Sequence, residues 1–142
     1  MLCTSMHKTP SPESQRIFAP GILADQVAVI TGGGSGIGLA TAAEMLRVGA
    51  RVAICGRTAD KLAAAQSQLV GAGIAADRVR TFACDIREPA QVEAFIKDVM
   101  AAWGRIDILV NNAGGQFPSP AQHISPNGFL AVVRKTSSAR ST

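Results

Sequence analysis

A segment of strand length, Val27-Ala28-Val29-Ile30-Thr31, gives way to Gly32-Gly33-Gly34-Ser35-Gly36-Ile37-Gly38 and then to an amphipathic helical pattern from Leu39 to Val48. No other stretch restricts the fold so tightly. Strand, glycine turn, helix is the order in which a doubly wound α/β sheet presents a helix N-terminus to a pyrophosphate. Gly32, Gly36 and Gly38 are spaced G-x-x-x-G-x-G rather than G-x-G-x-x-G. The physical jobs are similar: a tight turn, close backbone approach to phosphate, and close helix–strand packing. A glycine cluster alone is an ordinary turn; the strand before it and the helix after it make it a candidate nucleotide site.

The rest of the chain repeats the alternation. A second strand, Arg51 to Cys55, ends at Gly56-Arg57-Thr58, and Thr58 or Asp60 is placed to cap a helix through Leu62, Ala65, Gln66 and Leu69. Gly71 and Gly73 end it. A third strand, Val79 to Cys84, leads to Asp85-Ile86. A helix then starts near Pro89 and runs through Val92, Phe95, Ile96 and Val99 to Trp103-Gly104. A fourth strand, Ile106 to Val110, is apolar almost throughout and is expected to be buried on both faces. It ends in Asn111-Asn112-Ala113-Gly114-Gly115. About four strands and three to four helices predict the N-terminal half of a Rossmann-type doubly wound parallel sheet. Ligands of such sheets sit beyond the strand carboxyl ends. The glycine cluster, Arg57, Asp85 and the Asn-Asn-Ala-Gly run all fall there.

Composition narrows the function classes. A chain of 142 residues with 47% hydrophobic content can bury one small core. The net charge of +4 is spread along the chain until the last few residues. The basic tail lacks interleaved aromatics, so a nucleic-acid partner is not expected. No run approaches a membrane span, and no membrane partner is expected. Cys3, Cys55 and Cys84 form no metal or disulfide pattern; Cys55 and Cys84 each close an apolar strand and are expected to be small buried residues in a reducing compartment, the cytoplasm. Residues 1–16 are expected to form a disordered leader, 17–133 a partial dinucleotide-binding domain, and 134–142 a basic, serine-rich irregular tail.

Thr31-Gly-Gly-Gly-Ser-Gly-Ile-Gly38, Asp85 after the third strand and Asn111-Asn-Ala-Gly114 after the fourth resemble the short-chain dehydrogenase/reductase family over residues 18–133. Within it, Phe18-Ala-Pro-Gly-Ile-Leu23 and the run from Asn111 to Pro120 are similar to the enoyl-CoA and 2,4-dienoyl-CoA reductase branch, which reduces carbon–carbon double bonds of unsaturated acyl-CoA thioesters with NADPH. The resemblance implies that Gly32, Ser35, Gly36, Ile37 and Gly38 surround the cofactor phosphates. It implies that Asp85 meets the adenine amino group and the backbone of Ile86 the ring. Asn112, Ala113 and Gly114 would line the adenosine–ribose side, and Asn111 would tie the fourth strand to its neighbours. Complete relatives would be homo-oligomers.

Cofactor choice follows from chemistry. An NAD site wants a carboxylate after the second strand, which would repel a 2′-phosphate. That place holds Gly56, and then Arg57, whose guanidinium can pair with phosphate in two-point fashion. NADP(H) is therefore expected over NAD(H).

The chain departs from the family in its catalytic residues, and the asparagine that the resemblance implies further along the helix expected from Pro126 is also absent. The chain contains no tyrosine, so the family's catalytic Tyr-x-x-x-Lys is absent, and no catalytic residue is assigned. The turn to basic, serine-rich composition after Val133 is read as a truncation or a frame shift, with a natural basic tail as the alternative. The expected function is NADPH-dependent hydride transfer to an unsaturated acyl-CoA in lineage, with this chain keeping the cofactor site. A non-catalytic NADP(H)-binding fragment or pseudo-enzyme is the first alternative, and a keto or alcohol reductase of the same family the second. An unpaired fourth strand would leave an exposed parallel edge and marginal stability.

Overall fold

The chain alternates β1 (Val27–Thr31), α1 (Gly36–Arg47), β2 (Arg51–Gly56), α2 (Ala59–Gly71), β3 (Val79–Ala83), α3 (Pro89–Trp103) and β4 (Ile108–Val110). The structure is a computed structural model that describes residues 17–114 together with 123, 125–127 and 130. The expected leader and basic tail lie outside the described residues. All strand pairings are parallel, in the order β3-β2-β1-β4. The chain therefore steps outward from β1 to β3 and then crosses to the other side of β1. That reversal opens a crevice at the strand carboxyl ends, the place where doubly wound sheets take ligands.

Strand alternation sorts the core into two layers. Ala28, Ile30, Val52 and Ile54 face α1 and α2, meeting Ala42, Leu46, Leu62, Ala65 and Leu69. Val27, Val29, Ala53 and Cys55 face α3, meeting Phe95 and Val99. Strands buried on both faces read as unbroken apolar runs, as β1 and β2 do. Each fully buried aliphatic side chain such as Leu46 or Ile54 contributes about 1.5–3 kcal/mol relative to exposure. Phe82 and Phe95 add a tilted ring pair with centroids 5.0 Å apart.

Local chemistry sets the boundaries. Pro89 opens α3, where its missing N–H costs nothing, and Gly104 closes it in the left-handed region at φ +74°. One carbonyl in the last turn of α1 and one in the connection to β2 are met from afar: Arg78 donates through Nη2 to Leu46 O at 2.6 Å and to Ala50 O at 2.7 Å. Arg78 belongs to a short 3-10 turn, Ala76–Arg78, that the sequence reading did not separate from the loop. Leu23 packs against the α1–α2 core while Ile17, Phe18 and Ile22 stay exposed.

Two expectations need correction. Helix α1 begins at Gly36, inside the glycine cluster, rather than at Leu39, with Ser35 as its extended N-cap. Strand β4 is shorter than predicted and is not buried on both faces. Among the described residues it pairs with β1 alone, Ile108 and Val110 are half-buried, and Leu109 is 51% exposed. Ile106 and Asp107 form its approach. There the Asp107 carboxylate accepts the Val27 N–H at 2.8 Å, and the Asp107 N–H donates to Val27 O at 2.9 Å. Among the described residues no helix is long and apolar enough to cross a membrane.

Candidate functional site

Thr31, at the carboxyl end of β1, is the one buried polar residue among those described. Its hydroxyl donates to Val110 O at 3.4 Å and accepts the N–H groups of Asn112 at 3.0 Å and Ala113 at 2.9 Å. The Asn112 side chain donates back through Nδ2 to Thr31 O at 3.0 Å and Gly32 O at 3.3 Å. One hydroxyl and one amide thus lock the loop after β4 onto the turn after β1. The tie expected of Asn111 is made by Asn112. Positions 108, 110 and 112 point to the α1 side, whereas Asn111 is exposed and follows Leu109 into a small hollow of about 90 Å³ on the α3 side.

The glycines earn their places by geometry. Gly32 turns the chain at φ +68°, and a β-carbon on it would lie 3.0 Å from Ala113 Cα. A β-carbon on Gly38 would lie 2.5 Å from Asn112 Nδ2 and 2.6 Å from Gly32 O. Gly33 has a packing role that the sequence reading did not assign: its β-carbon would meet Ile54 Cγ2 at 2.5 Å. The turn therefore presses directly against β2 and the Asn112 loop, leaving its outer side to a ligand.

A cleft of about 370 Å³ runs along the carboxyl ends of all four strands. Eight of the eleven predicted binding residues line it: Gly32 and Ser35 from the β1 turn, Arg57 beyond β2, Asp85 and Ile86 beyond β3, and Asn112, Ala113 and Gly114 beyond β4. Gly36, Ile37 and Gly38 stand apart from its lining. Gly38 is buried behind the turn, and Gly36 and Ile37 form the exposed first turn of α1, with Ile37 80% exposed. Thr58, Lys61 and Arg87 also line the cleft; from sequence Thr58 was read only as a helix cap, and Lys61 and Arg87 were not singled out. The signal was present for Lys61, since it lies three residues beyond the Thr58 N-cap and so faces the same way.

Charge is divided along this wall. Asp85 is engaged by Arg87, whose Nε donates to Oδ1 at 2.9 Å and to Oδ2 at 3.1 Å, whose Nη2 donates to Oδ2, and whose backbone N–H donates to Oδ1 at 3.1 Å. These bonds, with lesser help from the Arg57 charge, hold the Asp85 carboxyl at about 2. Among the described residues the ion pairs are Arg47–Glu44, Arg87–Asp85 and Arg105–Asp107, so Arg57 and Lys61 keep their charges unpaired beside the cleft. On its floor, burial and the neighbouring Cys84 push the Cys55 thiol up to about 12; burial and Asp85 raise Cys84. Both cysteines are free and buried, as expected, and their protonated thiols offer no nucleophile. No cluster of three or more metal-ligating side chains occurs among the described residues. The cleft fits an elongated anion: a glycine turn that admits close backbone approach, two unpaired cations and a fixed carboxylate.

Comparison with known proteins agrees with this geometry. The profile of the short chain dehydrogenase family matches residues 26–137. A peroxisomal 2,4-dienoyl-CoA reductase from Danio rerio is 39% identical over 117 residues, which is 82% of this chain and 38% of that protein. The citronellol catabolism dehydrogenase AtuB of Pseudomonas aeruginosa PAO1 superposes with a TM-score of 0.75 at 44% identity, over 84% of this chain and 47% of that one. A metagenomic short-chain oxidoreductase in complex with NADP superposes at 0.66 and 39% identity, over 78% and 49% of the two chains. A 3-ketoacyl-(acyl-carrier-protein) reductase from Brucella melitensis complexed with NADH does so at 0.72 and 30%, over 82% and 46%. The chain thus spans less than half the length of each of these four proteins.

Proposed function

The chain belongs to the short-chain dehydrogenase family, whose members bind a nicotinamide dinucleotide, and on that premise we propose that its cleft takes NADP(H) in preference to NAD(H). The observation that carries the preference is the carboxyl end of β2. Where a ribose-binding carboxylate would stand there is Gly56, and the next residue, Arg57, lines the cleft with no carboxylate bonded to it among the described residues. A 2′-phosphate supplies the missing negative charge, and guanidinium–phosphate bonds are among the strong charge-assisted kind.

In this reading Gly32 and Ser35 approach the cofactor phosphates directly. Gly36, Ile37 and Gly38 act one step back, by starting α1 where its N-terminal N–H groups face the turn. Asp85 accepts a hydrogen bond from the adenine amino group, and the backbone of Ile86 meets the ring. Asn112, Ala113 and Gly114 border the adenosine ribose. When bound, the cofactor supplies hydride; this chain's residues hold and orient it.

The substrate reading is an unsaturated acyl-CoA thioester, supported by the named activity of the Danio rerio relative. It applies to a complete enzyme of this lineage, where homo-oligomers are expected. With no tyrosine among the 142 residues, the activity proposed for the chain itself is non-catalytic NADP(H) binding. The two free, buried thiols suit a reducing compartment, and the cytoplasm is the one proposed.

Calorimetric titration of the full chain with NADPH and NADH, beside its Arg57→Ala variant, tests the preference. NADPH is expected to bind the wild type about tenfold tighter or more, from charge-assisted bonds to the extra phosphate. Arg57→Ala should lose most of that margin while NADH binding changes little. Equal loss for both cofactors overturns the assignment.

A further inference from the structure

Resting on the reading of Asp85 as acceptor for the adenine amino group, we propose that Arg87 is a positioning residue that makes this site selective for adenine over a 6-oxopurine. The two oxygens of the Asp85 carboxylate offer about four lone-pair directions. Arg87 occupies Oδ1 with its backbone N–H at 3.1 Å and Nε at 2.9 Å, and reaches Oδ2 with Nη2 and, at 3.1 Å, with the shared Nε. These are three N–H donors on about four directions, with Nε shared between the two oxygens, so one direction is left for a ligand donor.

The backbone beneath is fixed as well. The Asp85 N–H donates to Gln91 Oε1 at 2.9 Å, and Asp85 O accepts the Glu88 N–H at 3.0 Å. Gln91 lies in the first turn of α3, so the segment from Asp85 to Glu88 is pinned to that helix. A planar fork on a pinned turn leaves the carboxylate one orientation. Arg87 and Asp85 both line the cleft, so this orientation is presented to the bound base.

Base selectivity follows from that rigidity. Adenine offers an exocyclic amino donor at C6 and a bare ring nitrogen beside it. Hypoxanthine offers a carbonyl oxygen at C6 and an N–H at the neighbouring ring position. A carboxylate locked toward the 6-substituent gains a bond from adenine and meets an acceptor in hypoxanthine. A carboxylate free to swing would turn to the ring N–H of hypoxanthine and recover the bond. Arg87 forbids the swing.

The test is calorimetric titration of the full chain with NADPH and with its reduced hypoxanthine analogue, in wild type, Arg87→Gln and Arg87→Lys. Wild type should favour the adenine form about tenfold or more, the worth of one bond to a charged acceptor. Both variants should fall to about twofold or less while keeping the wild-type ratio of NADPH to NADH affinity, which general damage to the cleft would not preserve. Lysine retains the charge without the fork, so an Arg87→Lys protein with undiminished adenine preference overturns the inference, as does the same result for Arg87→Gln. A wild type that separates NADPH from NADH yet binds both bases equally overturns the Asp85 role and this inference with it, leaving the Arg57 assignment standing. A wild type that binds no dinucleotide overturns the proposed site itself.

Discussion

A β-carbon placed on Gly38 would sit 2.5 Å from the Asn112 side-chain nitrogen, the same nitrogen that donates to Thr31 O at 3.0 Å. The first turn of α1 and the loop after β4 therefore share a space with no room for one more methyl group. Gly38→Ala must push Asn112 off its carbonyl or lift α1 from the sheet. Overpacking of this kind costs about 1–3 kcal/mol. For a chain of this size the midpoint of thermal unfolding should fall by several degrees, and NADPH affinity should fall with it. Calorimetric melting with and without NADPH checks both, and an unchanged melting point would show that the contact yields freely.

Thr31 is the hub of the same junction. Its hydroxyl accepts two backbone N–H groups, those of Asn112 and Ala113, and donates to a third group, Val110 O. Thr31→Val keeps the β-branched shape in a position only 7% exposed but leaves both N–H groups without that acceptor. The expected loss is about 1–3 kcal/mol in urea unfolding, the desolvation cost of buried donors. Thr31→Ser, which keeps the hydroxyl, should lose less than half as much. Equal losses would mean that the methyl group, not the hydroxyl, holds the junction.

The parts of the site legible in the sequence are those whose chemistry is local. Gly32 and Gly38 stood out because a strand ends and a helix starts around them, and the steric cost of a side chain there agrees with the role their spacing suggested. The helix start was placed late because glycine is a poor helix former, yet the turn carries Gly36 and Gly38 into α1 regardless. The choice between Asn111 and Asn112 was open to a period-two reading: Asn112 shares parity with Ile108 and Val110, which face the α1–α2 core. The burial of β4 was not legible, because an apolar run records what a strand can face and not which neighbours flank it. Arg87 was missed for a related reason: it acts through its fork on Asp85, a geometry that exists only after folding. Lys61 was legible from its spacing to the Thr58 N-cap.

The Asp85–Arg87 pair makes a pH prediction with a definite sign. The carboxyl is ordinarily near 3.8 and is held at about 2 in the fold. A lowered folded pKa contributes stability that is fully present above the unfolded value and is lost as pH falls through the folded one. The window is therefore about pH 4 down to about 2. Wild type should lose more stability across that window than Arg87→Gln, whose Asp85 has lost its principal hydrogen-bond donor. Because the pair is partly exposed, solvent screening keeps the difference modest. Urea unfolding at a series of pH values between 5 and 2 measures it, and parallel curves for the two proteins would show that the ion pair does not contribute.

Strand β4 carries the last prediction. Leu109 is 51% exposed, and β4 pairs only with β1 among the described residues. An apolar strand with one open side is a template for pairing with another chain. Leu109→Lys places a charge on the exposed face while leaving Ile108 and Val110 in contact with the core. Since the removed side chain is half in water already, thermal stability should change by no more than about 0.5 kcal/mol. Self-association should fall: light scattering of concentrated protein is expected to show a higher onset concentration for aggregation in the variant. If Leu109→Lys instead destabilises the fold strongly, Leu109 is part of the packed core in solution. If scattering is unchanged, association runs through another surface.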